Sequence, residues 1–429
     1  MKTRKLYPLS KAQEEILRFE VETFQGTAIN VQCFAFRLRE NYPDRVIEEA
    51  YNAVMEHEQA LRLRIVADVN GYWQEEAPYE AMPLPVIDCT DLEPGRFEEK
   101  LREQTEVFLA YSDYPLHRFT VYRGKEETAV TIVGHHITFD LWSAMLTAYK
   151  LELCCKSLAE GKTPELEYHC YTDICQREAA LLQSERYLRD RQYWKEKFTC
   201  PAPLARLMPD RPASRDTAGK RIQETLTPRL TEKLLGICGE MEMSPSTLFQ
   251  TAIFLWLYHK NPQIARIDTG YMALGRRSKL EKAMLGNFAQ ETLICIPAAR
   301  DLTVRELIGR IRFVTAEAFY HSLVLHDDIL ELARETSPGL SLIRDLEFGY
   351  VPACDLPGEV LNFQWLTEED PETSAEYLVL HSGAGELTVF FHYRQDLFSP
   401  EEGREAFDGI LRMLEACIDA PDGQIDRLL

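Results

Sequence analysis

Two adjacent histidines and a nearby aspartate, His135, His136 and Asp140, form the cluster in this chain with the clearest chemical potential. A neutral imidazole can take a proton from an attacking amine and return it to a leaving group, which suits acyl transfer. It can also hydrogen-bond the nucleophile and a tetrahedral intermediate with little net proton transfer. The residue types alone leave both roles open.

Two other interpretations of the cluster need no catalysis of this kind. Both histidines can be structural, with Asp140 capping a helix that starts near Trp142, and for an isolated pair this would be the favoured interpretation. Zinc binding is not expected, because adjacent histidines followed by one aspartate lack the usual helical spacing of two histidine ligands.

The predicted elements place this cluster on a connection. Residues 127–133 predict a buried strand, and the chain from Trp142 onward predicts a helix. A connection at the end of a strand is where rigid elements present catalytic side chains. Further patterns predict helices at 11–19, 43–58, 181–197, 228–240, 246–259 and 400–416, and strands at 29–38, 221–226, 267–272 and 387–393.

The length and the order of elements predict two lobes. A chain of 429 residues exceeds the size at which one hydrophobic core usually stops growing. Helices and strands mix in both halves, so the fold class is α/β. The proline-rich segment 201–212 predicts a boundary that separates an N-terminal lobe, 1–200, from a C-terminal lobe, 201–429.

Charge and apolar runs restrict the partners. A net charge of -21 argues against nucleic acid, because phosphate binders cluster Lys and Arg. The longest apolar run, 251–258, is too short to span a bilayer, and residues 1–10 lack a leader's apolar stretch, so we expect a cytoplasmic protein without a membrane span. The 11 cysteines stand in no zinc or nucleophile motif and are expected to be reduced and mostly buried.

The residues around the cluster carry a family resemblance. The segment His135-His136-Ile137-Thr138-Phe139-Asp140 closely resembles the His-His-x-x-x-Asp signature of nonribosomal peptide synthetase condensation domains. Five more segments follow in that family's order across nearly the whole chain. They are the opening Ser10-Lys11-Ala12-Gln13, His57-Glu58-Gln59-Ala60-Leu61-Arg62, Tyr171-Thr172-Asp173, the strand from Gly270 that ends at Arg276, and Leu285-Gly286-Asn287-Phe288.

The resemblance implies a fold and a set of site residues. The fold would be two chloramphenicol-acetyltransferase-like lobes in a V-shaped pseudo-dimer with an active-site tunnel between them. His136 would face the tunnel, while His135 and Asp140 would support the site, with Asp140 paired to Arg62. The tunnel lining expected from the resemblance comprises Leu141, Trp142, Ser143 and Gln290.

Several positions depart from the family pattern. Leu141 replaces the usual glycine after the aspartate, so donor choice or the shape of the site is expected to differ. Gln290 and Glu291 replace the family's asparagine region, and Arg344-Asp345 looks like part of a strand instead of the late Arg-Asp-x-Ser motif. Epimerisation, heterocyclisation and plant-type acyltransfer are disfavoured, because the motif that each requires is missing.

The implied reaction is attack of an aminoacyl amine, held on a carrier protein, on an acyl thioester to form an amide. The chain itself would bind no cofactor and no metal, because phosphopantetheine of a carrier protein, or CoA, carries the substrates. Donor and acceptor carrier proteins and an adenylation domain of the same pathway would be partners. Since Met1 lies only a few residues before the opening motif, a starter role with a fatty acyl donor is expected, and an internal-type reaction with a peptidyl donor stays open.

Two alternative functions stay open. The chain would otherwise be a non-catalytic docking platform that recruits enzymes to carrier-bound substrates, or a free-standing acyltransferase with a small-molecule acceptor.

An oxyanion is expected to bind a backbone N–H near Trp142 or Ser143. A carrier protein is usually acidic, so docking would need a local basic patch around Arg266 or Arg276-Arg277.

Overall fold

The structure is a computed structural model that describes residues 5–22, 29–198, 205–207, 218–298, 300–338, 345–352, 363–367 and 374–429. The helices are α1 Lys11–Glu22, α2 Asp44–His57, α3 Pro94–Arg102, α4 Leu141–Ala159, α5 Tyr171–Leu181, α6 Glu185–Lys197, α7 Pro228–Glu240, α8 Pro245–Lys260, α9 Lys279–Ala283, α10 Val304–Tyr320, α11 His326–Arg334 and α12 Pro400–Asp419.

The strands are β1 Val31–Arg37, β2 Leu63–Asp68, β3 Gly71–Glu76, β4 Val86–Asp88, β5 His117–Arg123, β6 Thr128–His135, β7 Gly219–Thr225, β8 Arg266–Ala273, β9 Gln290–Pro297, β10 Leu346–Val351, β11 Gln364–Trp365, β12 Ala375–His381 and β13 Leu387–Arg394. The chain forms two compact mixed α/β units, so the predicted fold class is confirmed. Unit 1 comprises Met1–Gln183, Leu274–Ala289 and Leu356–Thr367, and unit 2 comprises the remaining segments.

Unit 1 is built on a five-stranded sheet in the order β11-β1-β6-β5-β4. Its pairs are antiparallel except for the parallel edge pair β4 and β5. Strand β6 is buried along its whole length, because it pairs on both sides and the sheet is covered on both faces. On one face Val31, Cys33 and Ala35 of β1 pack against Phe97 of α3, and on the other Phe34 contacts Phe139. Helices α2 and α4 pack against each other.

Unit 2 contains a six-stranded sheet in the order β7-β13-β12-β10-β8-β9. Strand β10 pairs in parallel with β12 and with β8, and the other pairs are antiparallel. Helix α8 is buried from Ser246 to Tyr258, which explains its apolar run around the whole helix circumference. It packs against α10 and α12 within the main core cluster of this unit.

The helix predicted at 181–197 is confirmed from Glu185 to Lys197, and only its start differs. Helix α5 ends at Leu181, and α6 starts at Glu185 after an extended residue, Ser184, with φ -94° and ψ 160°. The extended backbone of Ser184 interrupts the ladder of helical hydrogen bonds, and unit 1 gives way to unit 2 at the same place. Charge along 181–197 predicted helix correctly but gave no signal of the break.

The contacts divide the chain differently from a single cut between residues 200 and 201. Two segments from the second half of the sequence, Leu274–Ala289 and Leu356–Thr367, belong to unit 1. The first of these carries Arg276 and Gly286, which bind Asp140 and Ser143 in unit 1. Such long-range packing has no local sequence signature, so a linear boundary could not anticipate it.

The cysteines behave as expected. The nine described cysteines are free, and eight of them are buried while Cys170 is partly exposed. Burial raises the pKa of the Cys33 thiol to about 12, so it is a poor nucleophile. None of the helices that the structure describes combines the length and the apolar character needed to cross a bilayer.

Candidate active site

The His-His segment forms a tight connection between β6 and α4. The backbone N–H of His136 donates to the carbonyl of Asn30 at 2.7 Å, and the N–H of Thr138 donates to the carbonyl of His135 at 3.1 Å. A Cβ at Gly134 would lie 2.7 Å from the ring of Phe139, so only glycine lets that ring fold back over the strand. The loop is therefore held at a fixed position at the end of the strand.

His136 is the partly exposed residue of the stretch 131–140, whose other members are all buried. Its Nδ1 lies 2.9 Å from the carbonyl oxygen of Phe139. A carbonyl only accepts, so Nδ1 carries the proton and the lone pair of the neutral ring lies on Nε2. No group within the described ranges hydrogen-bonds Nε2, which leaves it available to a substrate.

Electrostatics favour the neutral form of this ring. Burial lowers the pKa of His136, and the opposing charge of Asp140 only partly offsets that effect. The imidazole therefore stays neutral at neutral pH. A neutral ring with a free Nε2 can accept a proton or a hydrogen bond from an amine.

His135 points inward and is fully buried. Its Nδ1 accepts from the N–H of Ile137 at 3.1 Å, so its proton lies on Nε2, which is 2.8 Å from the Glu20 carboxylate. Glu20 also accepts from Asn30 Nδ2 at 3.2 Å and from the Tyr111 N–H at 3.2 Å. Burial raises the pKa of Glu20, but these hydrogen bonds hold it below its usual value.

Asp140 is both the N-cap of α4 and half of a buried ion pair. Its Oδ1 accepts from the Ser143 N–H at 2.7 Å, and its Oδ2 accepts from the Phe288 N–H at 3.0 Å. Arg276 donates to the two oxygens at 2.5 Å and 3.1 Å. Burial raises the pKa of Asp140, yet Arg276 and these hydrogen bonds hold it below its ordinary value. Asp140 is therefore an anion that supports the loop.

The expected pairing of Asp140 with Arg62 is wrong. Arg62 donates to Glu76 Oε1 at 2.7 Å and to the carbonyls of Met55 and Ala77 at 2.9 Å and 3.1 Å. The reason is local, because Arg62 immediately precedes β2 and Glu76 lies on the partner strand β3. The guanidinium is satisfied by its own hairpin, and Asp140 is bound by the segment that returns from later in the chain.

The N–H of Ser143 cannot bind an oxyanion as expected, because Asp140 already accepts its hydrogen. The fully buried Ser143 hydroxyl is also occupied, since it donates to the Gly286 carbonyl at 2.8 Å and accepts from Arg276 at 3.0 Å. Trp142 is buried and its Nε1 donates to the Lys282 carbonyl at 2.9 Å.

The remaining residues expected to line a tunnel have different surroundings. Leu141, at the start of α4, is partly exposed. Gln290 is partly buried and begins β9 in unit 2. Arg344 lies outside the described residues, and Asp345 directly precedes β10.

Of the arginines expected to form a basic patch, Arg277 is exposed, whereas Arg276 and Arg266 are bound to carboxylates. The Arg276 side chain is only 1% exposed, because it is the partner of Asp140. Arg266 binds Asp268 through both carboxylate oxygens at 2.8 Å and 3.0 Å. Neither guanidinium is available as an exposed docking charge.

The other family-like segments converge behind the loop. The Ser10 hydroxyl accepts from the Gln13 N–H at 3.2 Å, and the Ser10 N–H donates to Gln13 Oε1 at 2.9 Å, so Ser10 caps α1 as predicted. Ser10 Oγ also lies 3.3 Å from the hydroxyl of Tyr171, which donates to the carbonyl of Asn287. A Cβ at Gly286 would lie 2.3 Å from the Tyr171 ring.

Sequence reasoning missed Arg276 as the partner of Asp140, Glu20 as the partner of His135, and a buried cluster around Glu58. In that cluster Glu58 binds Lys150 and lies 2.8 Å from His169 Nδ1, while Lys150 donates to the Ala283 carbonyl at 2.7 Å. Glu58, in the family-like segment from His57 to Arg62, was the one available signal for the cluster. No local signal in the sequence marks Glu20, because it is one of several acidic residues in an amphipathic helix.

Comparison with known proteins gives the family. The family profile named Condensation domain matches residues 3–429. Surfactin synthase subunit 1 of Bacillus subtilis (strain 168) is 25% identical over 443 residues, and the match covers 98% of this chain and 12% of that protein. A linear gramicidin synthase chain of Brevibacillus parabrevis is 26% identical over 453 residues, and that match covers 99% of this chain and 6% of the gramicidin synthase chain.

A solved structure supports the fold. The starter condensation domain of rhizomide synthetase, a variant in complex with C8-CoA, superimposes with a TM-score of 0.85 at 16% identity, covering 98% of this chain and 97% of that one. This chain spans only a small part of the length of the synthetases it matches. Condensation domains of nonribosomal peptide synthetases are amide-forming acyltransferases whose substrates arrive on carrier-protein phosphopantetheine. With the profile matched over nearly its full length, this chain belongs to the condensation domain family.

Proposed function

We propose that this chain joins an acyl thioester donor to the amine of an aminoacyl group on a carrier protein, with His136 as the catalytic residue. The free Nε2 of His136 is the observation that carries the proposal, because Nδ1 is held by Phe139 and burial keeps the ring neutral. In this reaction the amine nitrogen bonds to the thioester carbonyl carbon and the pantetheine thiol leaves.

In the proposed mechanism, His136 Nε2 accepts a hydrogen bond from the attacking amine and orients its lone pair toward the carbonyl carbon. When the tetrahedral intermediate collapses, the proton lost by nitrogen ends on the departing sulfur, so atoms and charge balance. His135 and Asp140 hold the loop, since both are buried and bound to Glu20 and Arg276. Positioning of this kind can supply a large part of the rate enhancement.

The donor class is the finer part of the proposal. A starter role with a fatty acyl donor is supported by the structural likeness to the starter condensation domain that was solved with C8-CoA. That likeness shows the fold, and an assay with donors of increasing chain length identifies the acyl chain. Membership of this family implies that donor and acceptor carrier proteins and an adenylation domain are the partners of this chain. We propose that they meet it in the cytoplasm.

The test is amide formation followed by mass spectrometry. Wild type and His136→Ala are each incubated with acyl thioesters of increasing chain length and with aminoacyl carrier proteins. We expect an amide from wild type and a loss of at least about a hundredfold in His136→Ala, because general acid–base groups contribute about 10² to 10⁴. A matched control, His259→Ala, removes an exposed imidazole from helix α8 of unit 2.

Three results would count against this proposal. No amide from any pair, with carrier binding intact, favours the non-catalytic docking platform. A product formed equally well by His136→Ala removes His136 from the mechanism. Transfer to small amines or alcohols but never to carrier-bound amines favours the free-standing acyltransferase.

A further inference from the structure

A short exposed segment, which includes most of the one-turn helix α9, carries concentrated positive charge in an otherwise acidic chain. We call residues 277–282 the cationic turn. It carries Arg277, Lys279 and Lys282, all exposed, whereas the whole chain has a net charge of -21. Its one carboxylate, Glu281, is occupied because it accepts from the backbone N–H groups of Arg277 and Ser278 at 2.6 Å and 2.9 Å.

The two lysines keep their charge for a partner. Within the ranges that the structure describes, neither Lys279 nor Lys282 forms an ion pair. Leu280 lies between them and is 48% exposed, so the turn also offers a small apolar contact. A single exposed leucine is ordinary, but here it is flanked by unpaired ammonium groups.

The turn is fixed to the catalytic loop at both ends. Before the turn, Arg276 binds Asp140, and at its end the Lys282 carbonyl accepts from Trp142 Nε1 at 2.9 Å. The next carbonyl, that of Ala283, accepts from Lys150 Nζ at 2.7 Å. All of these residues belong to unit 1. The backbone that carries the two lysines is thus fixed relative to the loop that carries His136.

We propose that the cationic turn is a docking surface for a phosphopantetheinylated carrier protein, an inference that rests on the proposed function. Every such carrier has a phosphodiester at the base of its arm, which supplies the anionic complement to Lys279 and Lys282. The rest of this acidic chain repels an acidic partner, so a local cationic surface is where association is favourable. This surface includes Arg277 of the expected Arg276-Arg277 region, whereas Arg276 itself is buried.

The experiment measures binding separately from catalysis. A carrier protein is labelled with a fluorophore on its phosphopantetheine arm, and its Kd is measured by fluorescence anisotropy with the full chain. The test variant is Lys279→Glu with Lys282→Glu. The matched control is Lys220→Glu with Arg229→Glu, which makes the same charge change at exposed positions of unit 2.

We expect the test variant to weaken carrier binding by about tenfold, because like charges at an interface rim cost association. The control is expected to stay within about twofold, because it changes the net charge by the same amount and leaves the cationic turn unchanged. The wild-type Kd rises with salt, and the test variant loses most of that dependence. Circular dichroism of each variant verifies folding.

The outcomes separate this inference from the proposed function. Equal carrier binding by the test variant and the control overturns the docking surface, even when amide formation by wild type is intact. The docking surface is also overturned when wild type binds free labelled coenzyme A as tightly as the labelled carrier, because the turn then recognises the arm alone. Weakened carrier binding in the test variant supports the docking surface, even when no donor pair yields an amide.

Discussion

Arg276 donates two hydrogen bonds to Asp140, at 2.5 Å and 3.1 Å, although the two residues are 136 positions apart in the sequence. Both side chains are almost fully buried. This pair joins the segment Leu274–Ala289 to the loop that carries His136, and it does so within unit 1. The geometry of the candidate site therefore depends on a contact between distant parts of the chain.

Removing either partner of this pair should be strongly destabilising. Arg276→Ala or Asp140→Ala leaves an uncompensated buried charge, which costs about 3 to 5 kcal/mol of unfolding free energy. In a double-mutant cycle, chemical denaturation should give a coupling energy of about 1 to 3 kcal/mol between Asp140 and Arg276. The control cycle pairs Asp140 with Arg62, and its coupling energy should be near zero. Coupling to Arg62 instead of Arg276 would contradict this pairing.

The pH dependence of catalysis should report the neutral ring of His136. Protonation of Nε2 abolishes its ability to accept, so the rate falls as the pH drops through the pKa of this imidazole. Burial lowers that pKa, and the acid limb should therefore lie below the ordinary histidine value of about 6.5. The measurement is kcat against pH with saturating substrates. A midpoint above about 7 would show that an opposing charge outweighs burial.

Glu20→Gln should impair catalysis by loosening the loop. The Glu20 carboxylate accepts from His135, Asn30 and the Tyr111 N–H, and the carbonyl of Asn30 in turn holds the N–H of His136. A glutamine keeps the volume but supplies one acceptor oxygen, so buried hydrogen bonds to a charged group are lost, at about 1.5 to 3 kcal/mol each.

The readout for Glu20→Gln is a split between kinetic constants. Because Glu20 acts through the position of His136, kcat should fall by about tenfold or more with little change in KM for the carrier-bound acceptor. Glu14→Gln on the exposed side of α1 is the matched control. A change confined to thermal stability, with normal kcat, would reduce Glu20 to a role in folding alone.

Gly286→Ala should be far more damaging than an alanine at an open glycine. Gly286 has φ +147°, and a Cβ there would lie 2.3 Å from the Tyr171 ring, so the substitution forces a shift of buried structure. Overpacking of this kind costs about 1 to 3 kcal/mol. Gly309→Ala in α10 meets nothing within 4 Å and should stabilise slightly, as helical alanine does. Thermal unfolding of both variants distinguishes the two; equal shifts in Tm would rule out the steric argument.

Local patterns in the sequence were enough for many of the elements that carry the site. The strand predicted at 127–133 and the helix predicted from Trp142 onward are confirmed as β6 and α4, since an apolar run is followed by a helical stretch. Ser10 as the cap of α1 followed from the same logic. The position of His136 between a strand and a helix was thus encoded within about thirty neighbouring residues.

The hydrogen-bond partners that site residues find in distant parts of the sequence could not be predicted from such local patterns. Arg62 and Arg276 both lie in family-like segments, and nothing local shows which of them meets Asp140. The answer depends on the hairpin of β2 and β3, which satisfies Arg62 with Glu76, and on the return of Leu274–Ala289 to unit 1. The sequence likewise does not show that Lys279 and Lys282 are exposed while Arg276 is buried, because burial is set by the tertiary structure.

The sequence by itself determined the chemical groups and many of the elements, because those depend on residue type and short-range periodicity, and its ordered motifs carried the resemblance to the family. Only the tertiary structure decided which nitrogen of His136 is free, which arginine neutralises Asp140, and which carboxylate holds His135. Each of these rests on hydrogen-bond geometry between segments far apart in the chain, and such geometry is fixed by packing of the whole unit.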